Sequence, residues 1–447
     1  MSTIFNGKEI LILGAGTSGS AAALFLNDRN ISVTVLDEKN ISEEIKNKFI
    51  KNRINYKDNT VFDNFDNFDY IIKSPGIPWS KELKELFIQK RNVIDEIELA
   101  SYFINVPIIA VTGTNGKSTV VSLITHVLRV AGFTAFMGGN IGIPLTEAVN
   151  KPLDVVVLEM SSYQIETINN FKADISLILN ISPDHLNRYK DFDEYVETKL
   201  KLMDFTKDTG VIWLNNDDKY LKEFIDKNKT EKIWRFSSRE PVVKGVYYSN
   251  DILYYYEGNE SNYIEYNLEG ISFNTFKDNI VAAIGVLLSW GINIDTIKYA
   301  IESFKPLSHR LESFYNFNNI IFVDDSKSTN PDSLSKAITV FNPNETLFLV
   351  GGEAKSEGYE QLKDDFQDIK VIFFGRDGEK LSKLLEKESI TFPTLDKLID
   401  NLKDILIADS NIKNVVLSPG CASFDEFKNF NERGNFFKNK IMEVFYV

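Results

Sequence analysis

A loop that begins at Gly113 has the residue types of a phosphate-binding loop. Residues 113–119 read GTNGKST, between an apolar run at 108–111 and an amphipathic stretch at 119–131. The backbone N–H groups of such a loop can surround phosphates, Lys117 can bring an ammonium to the outer phosphates, and Ser118 can bind Mg²⁺. Val111 stands where the common pattern has glycine, so this is a shortened form of that pattern. A surface turn is the alternative, but the flanking strand and helix patterns favour phosphate binding.

A second glycine-rich turn, Gly14–Gly19, follows a short apolar run, and Asp37 ends the next such run. Glycines allow the backbone to approach a diphosphate at a helix N-terminus, and an acidic residue in this place accepts from a ribose hydroxyl. Taken alone, the pattern favours a nicotinamide or flavin oxidoreductase, and the alternative is a strand-to-helix turn without a ligand. The turn predicts a diphosphate site but does not identify the diphosphate.

Other polar residues near predicted strand ends each admit two interpretations. Glu159 is either a Mg²⁺ ligand or the N-cap of the next helix. His185 is either a metal ligand or a loop residue with ordinary partners. Asn140, among glycines at 138–142, indicates either backbone close to a ligand or a plain turn. Arg310 either reaches the γ-phosphate of a nucleotide or forms an ion pair between domains.

The last third of the chain has loops rich in acidic, basic and hydroxyl groups. They read DDSKSTNP at 324–331, GGEAK at 351–355 and SPGCASF at 418–424, and each ends a predicted strand. Ligands of α/β proteins bind at the carboxyl ends of strands. The loops therefore predict a pocket that faces the nucleotide.

Alternating strand and helix patterns must position these loops. Strands are predicted at 9–13, 32–36, 70–72, 108–111, 155–158, 175–179, 211–214, 320–323, 347–350, 371–374 and 415–417. Buried parallel strands separated by helices are typical of α/β proteins. We predict three α/β domains: an N-terminal Rossmann-like domain at 1–97, a central P-loop ATPase-like domain with a parallel sheet at 98–305, and a C-terminal Rossmann-like domain at 306–447. The aromatic-rich stretch 232–271 predicts short antiparallel strands.

The composition excludes several classes of protein. Of 447 residues, 43% are apolar and 26% charged, which excludes wholesale disorder. Fifty Lys and Arg against 64 Asp and Glu leave a net charge of −14, so nucleic acid is not expected as a partner. Cys421 is the single cysteine, which excludes an intrachain disulfide and favours a reducing cytoplasm. The sequence shows no signal peptide and no apolar run long enough to span a membrane, so we expect a cytoplasmic protein without a membrane partner.

In this order and spacing, the motifs resemble the ATP-dependent Mur ligases of peptidoglycan synthesis over nearly the whole chain. The resemblance rests on residues 112–119, Glu159, the N-x-x-x-D-H pattern at 180–185, His309-Arg310 and residues 324–330. Residues 74–77, 351–355 and 417–425 resemble the members that use D-glutamate. The resemblance implies a monomeric amide ligase that adds D-glutamate to UDP-N-acetylmuramoyl-L-alanine through an acyl phosphate, and so serves cell wall biogenesis, cell shape and cell division.

The resemblance also implies a role for each candidate residue, with UDP and not NAD on the N-terminal domain. The residues for the UDP-substrate are Thr17, Ser18, Asp37, Ser74, Gly76, Asn140 and His185. Those for ATP are Gly113, Thr114, Asn115, Gly116, Lys117, Ser118, Thr119, Asn279, Arg310, Asp325 and Lys327. Those for D-glutamate are Thr329, Lys355, Ser423 and Phe430. The ligands around two Mg²⁺ ions are Ser118, Glu159, His185 and Lys199, and the catalytic residues are Lys117, Lys199, His185 and Arg310.

Lys199 occupies the position at which the family carries a carbamylated lysine. CO₂ addition turns the amine into an oxygen ligand for Mg²⁺, whereas the sequence by itself indicates only a surface lysine. This sequence departs from the family pattern at two places. Thr275-Phe276 stand where the family has His-Asn before Asn279, and Glu353 replaces an aspartate. The first departure bears on the adenine site, and the second bears on the contacts of the 351–355 loop.

Three other functions remain open at this point. A dinucleotide-dependent oxidoreductase explains Gly14–Gly19 but leaves the 113–119 loop without a role. A ligase for another amino acid, or a folylpolyglutamate synthetase, shares that loop but lacks the 74–76 turn and the pocket of Lys355 and Ser423. A non-catalytic regulator would bind the UDP-sugar without consuming ATP. ATP consumption and amino-acid specificity distinguish these functions.

Overall fold

The computed structural model describes residues 4–62, 65–89, 92–184, 188–228, 230–258, 263–269, 277–354 and 358–446. These residues form sheets of five, nine and six strands, each combined with helices. The chain divides into two units: unit 1 is Met1–Ile181 with His185–Phe304, and unit 2 is Ser182–Asp184 with Lys305–Val447. Unit 1 contains the first two sheets and unit 2 contains the third. The predicted three-domain α/β class is confirmed, while the predicted domain boundaries stay predictions.

The first sheet of unit 1 is parallel throughout, with strand order β3-β2-β1-β4-β5. Its strands are β1 (Ile10–Leu13), β2 (Val33–Leu36), β3 (Asn55–Lys57), β4 (Tyr70–Lys73) and β5 (Asn92–Ile94). Its helices are α1 (Thr17–Asn27), α2 (Glu43–Lys51), α3 (Lys81–Ile88) and α4 (Glu96–Ser101). Both β1 and β4 are buried along their whole length because helices cover the two faces of the sheet. The strand order reverses between β1 and β4, and at such a point α/β sheets bind ligands.

The second sheet of unit 1 has the order β14-β13-β12-β11-β10-β9-β6-β8-β7. Its strands are β6 (Ile108–Thr112), β7 (Ala135–Gly139), β8 (Val155–Glu159), β9 (Ala173–Ile178), β10 (Thr206–Asn215), β11 (Ile233–Ser237), β12 (Lys244–Ser249), β13 (Ile252–Glu257) and β14 (Tyr263–Asn267). Its helices are α5 (Lys117–Val130), α6 (Ser162–Ile165), α7 (Phe192–Leu200), α8 (Lys219–Lys227), α9 (Lys277–Ser289) and α10 (Ile294–Ser303), with 3₁₀ turns at Leu145–Ala148 and Lys201–Phe205. Strand β6 pairs with both β8 and β9, so the loop after β6 lies between the ends of its two neighbours.

The sheet of unit 2 has the order β15-β16-β20-β17-β18-β19, and only β15 is antiparallel to its neighbour. Its strands are β15 (Glu312–Phe317), β16 (Ile320–Asp324), β17 (Thr346–Gly351), β18 (Lys370–Phe374), β19 (Thr391–Phe392) and β20 (Asn414–Leu417). Its helices are α11 (Pro331–Val340), α12 (Lys363–Phe366), α13 (Gly378–Leu384), α14 (Leu395–Asp400), α15 (Leu402–Ala408) and α16 (Phe430–Val444), with 3₁₀ turns at Pro343–Glu345 and Glu360–Leu362. Because β20 lies between β16 and β17, the loops after these strands share one edge.

Three features differ from the sequence predictions. Helix α5 begins at Lys117 and not at Thr119, because Gly116 at φ 86° supplies a left-handed N-cap directly after the loop. In the aromatic-rich stretch, β11 and β12 continue the parallel sheet, whereas β13 is antiparallel to both of its neighbours, β12 and β14. Short strands at 55–57, 92–94 and 391–392 were not predicted, because each is too brief to show a periodicity. The longer strands β7 and β15 were not predicted either. Within the described residues, no helix combines the length and apolarity that crossing a membrane requires.

Candidate active site

The loop after β6 is held in shape by residues of the neighbouring strand end. Asn180, just beyond β9, accepts a hydrogen bond from Asn115 N at its side-chain oxygen (2.8 Å) and donates to Asn115 O (3.0 Å). Thr114 N donates to Asn180 O at 2.9 Å. Lys117 Nζ donates to Gly113 O and to Thr114 O, both at 2.8 Å. The loop therefore surrounds the Lys117 ammonium at the N-terminus of α5, an arrangement that suits bound phosphate.

Glu159, the last residue of β8, lies beside this loop and is buried. Its carboxylate accepts a hydrogen bond from Ser118 Oγ and another from Asn140 Nδ2 at 2.8 Å. Glu159 is not a helix N-cap, since Ser161 caps α6. The structure thus brings together three predicted site residues whose oxygen atoms belong to a hydroxyl, a carboxylate and an amide. Such hard oxygen donors fit Mg²⁺.

Lys199, on α7, is 2% exposed and so is not the surface lysine that the sequence by itself indicated. Its Nζ donates to Gly113 O at 2.9 Å and lies 4.7 Å from the centre of the Tyr195 ring. The Tyr195 hydroxyl is 3.1 Å from Thr114 Oγ1. Helix α7 therefore supplies two side chains to the phosphate loop, although neither adjoins it in sequence. Tyr195 and Asn180 were missed as site residues, because nothing local in the sequence indicates that they reach the loop.

Asn279, on α9, packs against the loop at Gly116. A Cβ added to Gly116 would lie 2.9 Å from Cγ and from Nδ2 of Asn279, which is closer than van der Waals contact allows. Asn279 is 5% exposed, and its placement puts one predicted adenine-side residue directly against the phosphate loop. Thr119 is also buried, within the first turn of α5.

The predicted residues for the UDP-substrate in the first sheet gather at the ends of β1, β2 and β4. Asp37 accepts hydrogen bonds from Ala15 N (2.7 Å) and Lys39 N (2.8 Å), so its carboxylate supports the glycine-rich turn. Ser74 Oγ donates to Gly14 O at 3.2 Å. Thr17 is exposed and Ser18 half-buried at the start of α1, and Gly76 is exposed. The turn and the 74–76 segment therefore form one edge with accessible polar groups.

In unit 2, Arg310 belongs to a turn that hydrogen bonds hold against the end of β16. His309 Nδ1 lies 2.6 Å from Asp324 Oδ2, and Lys327 N donates to His309 O at 3.1 Å. Asp325 accepts from Ser418 Oγ (2.8 Å) and from Leu311 N (3.3 Å). Burial raises the pKa of Asp325 to about 7. These contacts link the loops after β16 and β20, as their residue types predicted.

A buried arginine connects the two loops that carry Thr329 and Ser423, two of the predicted D-glutamate residues. Arg433 on α16 donates to Ser326 O (2.9 Å) and Cys421 O (3.0 Å), and so connects two of the loops. Burial lowers the pKa of Arg433 to about 10, which leaves it charged at neutral pH. The centre of the Phe430 ring lies 4.0 Å from Lys327 Nζ, and Ser423 is buried. The sequence pattern of α16 offered no signal that Arg433 points inward.

Several predictions fall outside the described residues. His185, Lys355 and the Thr275-Phe276 pair all lie in segments that the structure does not describe. Thr329 lies between Ser328 and the N-cap of α11, Asn330, on the same loop as Lys327. Roles for these residues stay predictions.

Comparisons with known proteins give consistent results. Residues 111–287 match the family model of the Mur ligase middle domain. The chain is 36% identical, over 99% of its length and all of the relative's, to UDP-N-acetylmuramoylalanine–D-glutamate ligase of Buchnera aphidicola subsp. Acyrthosiphon pisum (strain Tuc7). It is 34% identical, over 98% of both chains, to the ligase of the same name in Geotalea uraniireducens (strain Rf4).

The fold of this chain is similar to those of several solved structures. A pseudomurein peptide ligase type C from Methanothermus fervidus superposes with a TM-score of 0.61 at 19% identity, over 98% of this chain and 100% of the other. A MurF ligase from Thermotoga maritima in complex with ADP superposes with a TM-score of 0.59 at 16% identity, over 93% of this chain and 94% of the other. At these identities the likeness concerns the fold alone.

Proposed function

This chain belongs to the Mur ligase family, and from that membership we propose that it joins D-glutamate to UDP-N-acetylmuramoyl-L-alanine while ATP is converted to ADP and phosphate. The full-length similarity to ligases of that name supports the choice of substrates. The convergence of Lys117, Ser118, Glu159 and Lys199 on one loop is the observation that carries the proposal. We further propose that the protein acts as a monomer in the cytoplasm.

In the proposed reaction, the alanine carboxylate of the UDP-substrate attacks the γ-phosphorus of ATP, ADP leaves, and an acyl phosphate forms. The amine of D-glutamate then attacks the acyl carbon, an amide forms, and phosphate leaves. Lys117, already directed into the loop, stabilises the charge that develops on the transferring phosphoryl group. Arg310 of unit 2 is proposed to act on the same group. Because carboxylate and phosphate repel each other, positioning and cations supply most of the catalysis.

The donor set fits Mg²⁺. Ser118 Oγ and the Glu159 carboxylate are in direct contact, and we propose that they hold the cation together with His185 and Lys199. When bound, Mg²⁺ would neutralise phosphate charge. Lys199 is proposed to carry a carbamate, because CO₂ addition would place oxygen atoms at the loop edge where its Nζ now contacts Gly113 O. A carbonyl ¹³C resonance after growth with ¹³C-bicarbonate, absent in Lys199→Ala, is the expected signature.

The proposed binding sites lie at the carboxyl ends of the strands in each sheet. We propose that Thr17, Ser18, Asp37 and the 74–76 turn bind the uridine diphosphate part, with Asn140 toward the muramoyl group. Asp325 and Lys327 are proposed to contact ATP. The proposed D-glutamate residues are Thr329, Lys355, Ser423 and Phe430. The buried hydrogen bonds around Asp325 and Arg433 support a preformed pocket at this edge of unit 2.

The decisive experiment measures phosphate release from ATP in the presence of UDP-N-acetylmuramoyl-L-alanine. D-Glutamate, L-glutamate, L-alanine, L-lysine and meso-diaminopimelate are tested in turn. We expect release with D-glutamate alone and a product heavier by one glutamyl residue. Release with another amino acid instead would assign a different ligation step. Binding of the UDP-sugar without release under any condition would assign a non-catalytic regulator.

A further inference from the structure

We propose that Arg188 and Glu166 are positioning residues that set the distance between the UDP-substrate turn and the phosphate loop. This inference rests on the proposed function. Both residues lie in segments that connect strands of the second sheet: Glu166 is the C-cap of α6, and Arg188 lies in a turn between β9 and α7. Arg188 contacts Pro75 in the turn that follows β4 of the first sheet, and Glu166 contacts Trp79 just beyond that turn. Neither belongs to the predicted site, and neither is proposed to touch a substrate.

The contacts form a continuous chain of hydrogen bonds. Arg188 donates from Nη1 to Pro75 O at 2.8 Å and from Nη2 to Glu166 Oε2 at 3.1 Å. The same carboxylate accepts from Trp79 Nε1 and from the Tyr189 hydroxyl, both at 2.7 Å. The carbonyl of Pro75, at the centre of the 74–76 turn, is therefore connected through one guanidinium to Glu166. Trp79 connects the turn's other flank to the same carboxylate.

The geometry leaves Arg188 little freedom. Its guanidinium lies 3.7 Å from the centre of the Tyr163 ring, and its side chain is 12% exposed. A planar guanidinium that stacks on a ring and donates in two fixed directions determines where both acceptors lie. Glu166 is also nearly buried, at 11% exposure, and receives donors at both of its oxygens. Charge-assisted hydrogen bonds away from solvent are strong. We therefore expect them to fix the position of the 74–76 turn relative to the second sheet.

The two residues come from the segments that bear the proposed metal ligands. Glu166 is the C-cap of α6, whose segment begins directly after Glu159 at the end of β8. Arg188 lies three positions after His185. A shift of either segment would therefore move the Pro75 carbonyl, and with it the bound UDP-substrate, relative to the phosphate loop. A misplacement of about 1 Å between reacting groups costs about a hundredfold in rate.

The test compares Arg188→Met, Glu166→Gln and the double variant with Arg129→Met in the full-length enzyme. Arg129 is the matched control, because it also donates to a backbone carbonyl, Ala135 O, but within the second sheet and at the far end of α5. At saturating UDP-N-acetylmuramoyl-L-alanine, ATP and D-glutamate, we expect kcat to fall by about ten- to a hundredfold in each single variant. The affinity for a non-hydrolysable ATP analogue should stay within about twofold of wild type, because the phosphate loop keeps its own contacts.

The double variant separates positioning from general destabilisation. If the two residues act as one unit, the kcat of the double variant equals that of the single variant with the lower kcat. The kcat of Arg129→Met stays near that of wild type. The proposal would be overturned if the kcat losses of the two single variants were additive in the double variant. It would also be overturned if the kcat of each single variant equalled that of Arg129→Met. A parallel loss of ATP-analogue affinity would overturn it too, because it would indicate a damaged fold. Should Arg188→Met not fold, Glu166→Gln alone decides, since it preserves the shape of the side chain. Failure of wild type to release phosphate would instead refute the proposed function.

Discussion

At the scale of single residues, the phosphate loop depends on a residue without a side chain. Gly116 has φ 86° and faces the Asn279 amide. A side chain at this position would therefore strain the backbone and also overlap with the Asn279 side chain. Gly132 has φ 93° but no atom within 4 Å of an added Cβ. Substitution of Gly132 would therefore cause backbone strain alone, whereas substitution of Gly116 would cause backbone strain and steric overlap.

We predict that Gly116→Ala weakens binding of an ATP analogue by at least about tenfold, because the backbone and Asn279 must both move away from their present positions. Gly132→Ala, which carries the strain alone, should lower stability by about 1–2 kcal/mol and leave the affinity unchanged. Calorimetric titration of both variants with the analogue checks this. Equal affinities in the two variants would contradict the role assigned to the Gly116–Asn279 contact.

Lys73 is a second residue whose environment has a measurable consequence. It is fully buried at the end of β4, and its Nζ has no hydrogen-bond partner among the residues that the structure describes. The Nζ lies 4.8 Å from the centre of the Trp79 ring. Burial, with the nearby Arg188 charge, lowers the pKa of Lys73 to about 8, against the opposing influence of Glu166 and Asp95. The folded protein thus holds this proton less tightly than the unfolded chain.

The sign of the pH effect follows from that difference. Between about pH 8 and pH 10.5 the unfolded lysine keeps its proton while the folded one has lost it, so a rise in pH favours folding. Below pH 8 the charged form is buried, which costs up to about 3 kcal/mol. We predict that Lys73→Met is more stable than wild type at pH 7 and that the difference shrinks toward pH 10. Urea unfolding at both pH values measures it, with the exposed Lys84→Met as control. A pH-independent difference would contradict the prediction.

At the scale of elements, helix α4 ties the first sheet to the second through Glu98. This carboxylate is fully buried and accepts hydrogen bonds from the backbone N–H groups of Asn169 (3.0 Å), Asn170 (2.8 Å) and Phe171 (2.9 Å). The three donors belong to the segment just before β9. Charge-assisted hydrogen bonds from three backbone donors stabilise this buried carboxylate.

We predict that Glu98→Gln lowers the stability of unit 1 by about 2–4 kcal/mol, because the amide loses the charge and directs its own N–H groups at backbone donors. The midpoint of urea unfolding, followed by circular dichroism, measures the loss. Glu147→Gln, at an exposed position, is the matched control and should leave the midpoint unchanged. If the urea midpoint of Glu98→Gln equals that of Glu147→Gln, the prediction is contradicted. The backbone N–H groups would then form hydrogen bonds with water in place of the carboxylate.

At the scale of the whole molecule, the hydrophobic cores follow the two units. The clusters around β6 and α5, and those around β1, contain only residues up to Phe304. The two clusters of the third sheet contain only residues from Leu311 onward. Because a domain with its own core can fold alone, each unit should be independently stable.

We predict that a chain of residues 1–304 folds and binds UDP-N-acetylmuramoyl-L-alanine within about tenfold of the full-length affinity, because the proposed UDP site lies in unit 1. It should release no phosphate with D-glutamate, since Arg310, Lys327 and the proposed D-glutamate residues are absent. Isothermal titration and a phosphate assay check the two halves of the prediction. A truncated chain that binds no UDP-substrate despite a cooperative unfolding transition would contradict it.

The local chemistry of this protein could be predicted from short stretches of the chain. Strand ends, glycine-rich turns and the 113–119 loop depend on residues adjacent in the chain, so their composition predicted a three-domain α/β fold and a phosphate-binding loop. Contacts between residues that are distant in the chain could not be predicted in this way. Nothing around Lys199 in the sequence indicates that it reaches Gly113, and nothing around Arg188 indicates that it reaches Pro75. These contacts depend on how helices and sheets pack, which many residues determine together, so short-range patterns do not reveal them.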